Sequence, residues 1–154
     1  MYTVAHLHLL LNHFPIIVTL MALAVLAAAL WRDDNTIART GLLFLVAAAI
    51  SALPTYLSGE GAEDAVRKLP GVTREIIEHH SDIALIAALV VGALGIVALW
   101  GFWRYRPPTQ VPRRFVLWMF FGTMIGTGLM AYTGLLGGEV RHTEVRSDYV
   151  APPD

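Results

Sequence analysis

Four apolar stretches, each long enough to cross a bilayer, decide what this chain can fold into. They run from about Leu9 to Trp31, Thr40 to Leu57, Ile83 to Trp103 and Phe115 to Leu136. A spanning helix needs about 20 mostly apolar residues. Backbone polar groups in lipid must be paired within the segment, which selects helices. A transmembrane barrel would show alternating segments of about 10 residues, and these stretches do not alternate. The predicted fold is therefore all-α: one integral membrane four-helix bundle occupying residues 1–154. The mean hydropathy of +0.59 agrees. Charged residues make up 15% of the chain, well below a soluble domain, so no second sizeable domain is expected.

The charges between the stretches set the expected orientation. The connection from Trp31 to Arg39 carries Arg32 and Arg39, and that from Arg104 to Arg114 carries Arg104, Arg106, Arg113 and Arg114. Pro107-Pro108 keeps the second of these from being helical. The remaining connection, residues 58–82, is mainly acidic, with Glu60, Glu63, Asp64, Glu75, Glu78 and Asp82 against Arg67, Lys68 and Arg74. Short loops rich in Lys and Arg stay in the cytoplasm. Both termini and the acidic loop are then expected on the outer, periplasmic side of a bacterial inner membrane, with Arg141 and Arg146 moderating the bias. Trp31, Trp100, Trp103 and Trp118 fall near the cytoplasmic ends, as an interfacial aromatic belt would. The opening Met1-Tyr-Thr-Val-Ala-His lacks the basic start of a signal peptide, so the first stretch is expected to be kept as a span.

This topology gathers all the histidines at one boundary. His6, His8 and His13 precede or open the first span, His79 and His80 precede the third, and His142 follows the fourth. Thr73 is a candidate N-cap for a helix starting near Arg74. At 3.6 residues per turn, Ile76, His80, Ile83 and Ala87 then share an apolar face, while Glu75, Glu78, His79 and Asp82 form a charged one. His80 is expected to face the bundle and His79 the solvent. His13 is the deepest of the first group, followed by Pro15 at an expected first helical turn, with Asn12 as a candidate cap. A helix start disfavours a charged imidazole, which would leave His13 a neutral ligand. Gly59 and Gly61 suggest a tight exit from lipid, and a short turn from Asp64 to Leu69 is expected to stop at Pro70-Gly71. If helix runs on through Gly137-Gly138, Glu139 and His142 stand three apart, a carboxylate–imidazole spacing used by metal sites in bundles. The plainer alternative is a charged cluster that only anchors the helix ends.

Several segments are specific enough to suggest relatives. His8-Leu-Leu-Leu-Asn-His-Phe-Pro-Ile, Thr55-Tyr-Leu-Ser-Gly-Glu-Gly-Ala-Glu, Leu69-Pro-Gly-Val, Ile77-Glu-His-His and Gly137-Gly-Glu-Val-Arg-His-Thr-Glu resemble a bacterial family of predicted four-helix membrane proteins, the domain of unknown function 2231. The resemblance covers nearly the whole chain, and Asn-His-Phe-Pro and Gly-Gly-Glu-x-Arg-His are its specific pieces. It implies histidine at the positions of His8, His13, His80 and His142. The family's third-helix motif reads Glu-x-His-Glu; Ser81 stands here in place of the last Glu, which weakens a carboxylate ligand at that point. The resemblance implies a fold and architecture, and no activity.

Function is therefore read from the residues. Imidazoles on three helices in one layer suggest a b-type haem used for electron transfer, with cofactor-binding residues His8, His13, His80 and His142 and with Arg141 for a propionate. The alternative is a non-haem iron, copper or zinc ion held by His8, His13, His80, His142, Glu139 and Glu60. A third reading is an accessory subunit whose polar layer only fixes the bundle. The chain has no cysteine, which excludes thiolate ligands and covalent haem attachment. The few polar residues deep in the spans, Thr19, Ser51, Thr123 and Thr127, argue against an ion path. The expected partners are the bilayer and a redox protein or larger membrane complex. The net charge of −1 gives no reason to expect nucleic acid. Gly122 and Gly126, four apart, allow close helix contact, either inside the bundle or in a homodimer.

Overall fold

A computed structural model describes residues 4–67, 71–142 and 146. It consists of α1 (Val4–Leu11), α2 (His13–Arg32), α3 (Asn35–Val66), α4 (Arg74–Arg104) and α5 (Arg113–Arg141). α1 and α2 form one long apolar rod. With α3, α4 and α5 they make four helices of 29 to 32 residues that are long and apolar enough to cross a membrane. No strand occurs among the described residues. A 30-residue helix spans about 45 Å, so each rod overshoots the hydrocarbon core and places its polar ends in the headgroup layers.

α2, α3, α4 and α5 form a closed ring in that order, each packed on its two neighbours and nearly out of contact with the helix diagonal to it. α1 lies outside the ring and leans mainly on α3. The interior is narrow. One end packs Leu26, Leu42, Leu45 and Met119, and the other packs Ala48, Ala52, Ala87, Val91 and Met130. The outer surface is the reverse of a soluble protein's: Leu10, Ile50, Leu89, Ile96, Ile125 and Leu135 are all exposed. An apolar shell of this extent belongs in lipid.

Glycines permit the close seams. A Cβ on Gly95 would overlap Ala49, and one on Gly41 would lie 2.7 Å from Leu26 Cδ2. Gly122 and Gly126 serve the interior, since both lie under Leu94 of α4. Gly134 receives Ile16 of α2.

The connections differ from expectation in three places. Gly59 and Gly61 do not end the second helix; α3 continues to Val66 because α1 covers them, with Val4 against Gly61. Together with α4 starting at Arg74, this shrinks the 58–82 connection to residues 67–73. Asn12 does not cap α2, for its backbone is itself helical and its side chain makes no cap bond. His13 therefore sits inside a long helix rather than at a free positive end. By contrast Thr73 caps α4, accepting from Ile76 N at 3.4 Å. Lys68, Leu69 and Pro70, at the expected stop of the Asp64–Leu69 turn, and the Thr143-Glu144 part of the last motif lie outside the described residues.

The arginine-bearing end is latched by side chains. Arg39 donates to the carbonyls of Phe102 and Tyr105 at the end of α4, with its guanidinium 4.0 Å above the Phe102 ring. Arg113 reaches the Leu30 carbonyl and Asp33. Asp34 caps α3 through Ile37 N at 2.9 Å.

Candidate functional site

The other end of the bundle holds the histidine layer, and its geometry starts from a proline. Pro15 has no N–H, so the Leu11 carbonyl one turn before it loses its helical partner. Thr55 of α3 replaces that partner, donating its hydroxyl to Leu11 O at 3.2 Å. The bond holds the α1–α2 rod against α3 at a fixed height. His8 then lies one turn before Asn12, and its Nδ1 donates to the Thr55 carbonyl at 3.0 Å, with the Ser58 hydroxyl 3.2 Å away. Ser58 itself donates to Thr55 O, and the single Thr55 hydroxyl proton is shared between Leu11 O and Ser51 O, 2.8 Å away. Gly59 leaves space for the ring, which lies 3.8 Å from where a Cβ would stand.

A carbonyl only accepts, so the His8 proton sits on Nδ1. In the neutral ring Nε2 then carries the lone pair. Second-shell bonds of this kind orient ligating imidazoles in metal sites.

His80 approaches from α4 and is the electrostatic neighbour of His8. Its ring packs on α5 at Gly137, where a Cβ would lie 3.1 Å from Cε1, and it is hydrogen-bonded to the Thr133 main chain. His80 Nδ1 is buried with no hydrogen bond, and so is Asn12 Oδ1. The helix-phase expectation agrees with this placement. Glu75, Glu78, His79 and Asp82 are exposed, and His79 meets the Tyr132 hydroxyl at 3.3 Å.

The other expected site residues are not drawn into the pair. His13 and His6 are exposed on the first rod. His142 is the exposed cap residue of α5, with extended backbone. Helix does run through Gly137-Gly138, so Glu139 is helical and half-buried, while Glu60 and Arg141 are exposed. Among the described residues, no three of His, Cys, Asp and Glu converge as a metal cage would require.

Sequence reasoning missed Arg146. Its Nε donates to Glu139 O at 2.9 Å and its Nη1 to Gly71 O at 2.5 Å, while Nη2 is buried without a partner. It ties the end of α5 to the turn before α4. These are tertiary contacts, and no local motif signals them.

The model of the family described as "Predicted membrane protein (DUF2231)" matches residues 5–145. The chain belongs to this family. The description of DUF2231 supplies a membrane location without an activity. Nothing among curated proteins or solved structures matches the chain.

Proposed function

We propose that this DUF2231 protein binds a transition-metal centre through His8 and His80. The carrying observation is the pairing itself: two imidazoles from different helices, one fixed through Nδ1 to the Thr55 carbonyl and the other with a buried, unbonded ring nitrogen. Leaving a buried polar atom unpaired costs about 1–3 kcal/mol. A bound ligand recovers that cost for His80 Nδ1 and for Asn12 Oδ1, which shares the His8 side of its helix one turn on. Imidazole suits iron, copper or zinc.

The ligand atom has two sources, a haem iron or a free ion. As an axial pair the two histidines suit iron. A macrocycle between them requires the α4–α5 seam to part where His80 rests on Gly137, above the tight Ala48, Ala52 and Ala87 interior. A single ion needs no such opening, so the packing favours the ion over the haem expected from sequence. An iron or copper centre would supply one-electron chemistry. In that role His8 and Thr55 fix the ligand geometry, and the apolar layer below excludes water. With the arginine-rich connections in the cytoplasm, this centre faces the periplasm of a bacterial inner membrane, within reach of a redox partner.

The test is a visible spectrum and elemental analysis of protein purified in detergent without chelator. A Soret band that shifts on reduction assigns haem, and stoichiometric metal without that band assigns an ion. His8→Ala and His80→Ala should each lose the centre, while His79→Ala keeps it. A protein with neither signal leaves the layer a purely structural device, as the internally satisfied Ser51–Thr55–Ser58 ladder would allow.

A further inference from the structure

A groove of about 370 Å³ runs between α4 and α5 on the outer surface of the bundle, toward the arginine-bearing end. Val90, Ala93, Leu94 and Val97 line one wall, and Phe115, Trp118 and Met119 the other. It arises where Leu94 settles onto Gly122, 2.7 Å from an added Cβ, drawing the helices together beneath it. It opens toward the surface that faces hydrocarbon, so its natural filling is an apolar chain rather than water.

Both walls end in a cation. Arg104 lies seven residues beyond Val97 on the same face of α4, and Arg114 lies four before Trp118 on the same face of α5. Both are exposed. Of the other charges at this end, Arg113 pairs with Asp33, Arg39 binds carbonyls and Asp34 caps α3, while Arg32 and Arg106 are exposed and line neither wall of the groove. Among the described residues neither Arg104 nor Arg114 has an ion pair, and Arg104 touches only the Tyr105 ring, at 5.6 Å. Trp118, 77% exposed, and Trp100, 54% exposed, stand at the same level, where indole rings favour the headgroup boundary.

We infer that this groove is a binding site for one anionic phospholipid, with an acyl chain along Val90–Val97 and Trp118 and the phosphate between Arg104 and Arg114. Arginine suits a phosphate because its planar fork matches two oxygens at once. Clefts of basic character between spanning helices recognise anionic headgroups in the same way. The site stands apart from the histidine layer and does not depend on the reading of that layer.

Native mass spectrometry of the full chain tests it, with dioleoyl phosphatidylglycerol and dioleoyl phosphatidylcholine as probes. The wild type should retain one phosphatidylglycerol under activation that strips phosphatidylcholine. The R104Q/R114Q pair should lower that preference on the order of tenfold. Ala93→Trp, which fills the groove, should release both lipids, with thermal unfolding in detergent confirming that each variant is folded. Equal retention of the two lipids by the wild type overturns the proposal, as does an unchanged preference in R104Q/R114Q. A second copy occupying the groove would overturn it too. Because the chain has no cysteine, Trp118→Cys reports that case by forming a disulfide-linked dimer in nanodiscs. No such dimer is expected.

Discussion

The Thr55 hydroxyl serves the carbonyl of Leu11, 44 residues away, at the place where Pro15 has withdrawn that carbonyl's helical partner. Thr55→Val keeps the shape and removes the donor. It should destabilise the protein by about 1–3 kcal/mol, the cost of an unpaired polar group. In a Pro15→Ala background the restored N–H can bond Leu11 O, and the same change should cost less. A double-mutant cycle on unfolding free energies reads this coupling. An equal cost in both backgrounds would remove the proline from the explanation.

Gly137 and Gly138 are adjacent in α5 but face different surroundings. An added Cβ at Gly138 meets nothing within 4 Å, whereas at Gly137 it lies 3.1 Å from His80 Cε1. Gly138→Ala should therefore gain up to about 1 kcal/mol from helix propensity. Gly137→Ala should gain less and weaken metal binding, because the imidazole must shift by a few tenths of an ångström to make space. Isothermal titration with the metal found by elemental analysis separates the two effects. Matching affinities in both variants would argue against His80 as a ligand.

The α3–α4 seam offers a similar contrast. A Cβ on Gly95 overlaps Ala49 and comes within 3.2 Å of the Leu45 carbonyl, so backbone must move. Gly95→Ala should cost about 1–3 kcal/mol through overpacking. Gly92, one turn earlier, faces open space, and Gly92→Ala should be neutral or gain up to about 1 kcal/mol. Unfolding midpoints in detergent measure both.

The spans, the Thr73 cap and the opposite facing of His79 and His80 were legible in the sequence because each depends on local spacing. Hydropathy runs do not depend on partners, and a helix phase is fixed once its start is known. Asn12, Gly59 and Gly61 misled for the opposite reason. A glycine that ends a helix and a glycine that admits a neighbouring helix look alike until the neighbour is placed. Val4 lies on Gly61 and His8 on Gly59, so α3 continues where its composition suggested an exit. The electrostatic proximity of His8 and His80 and the bonds of Arg146 to Glu139 and Gly71 are likewise products of tertiary structure. Six histidines at one end follow from topology alone. Selecting two of them required knowing which helix faces press together.

α1 carries His8 yet buries none of its own residues, and it rests chiefly on α3 outside the closed ring. The two imidazoles are therefore held by parts of very different cohesion, one by a bundle wall and one by a docked arm. Detaching that arm breaks the Thr55 and Ser58 contacts and leaves the ring interior untouched. Local opening of that kind would take the pair apart without unfolding the bundle. The ligand proposed above would clasp the arm in place, and undocking of the arm would be its route of escape.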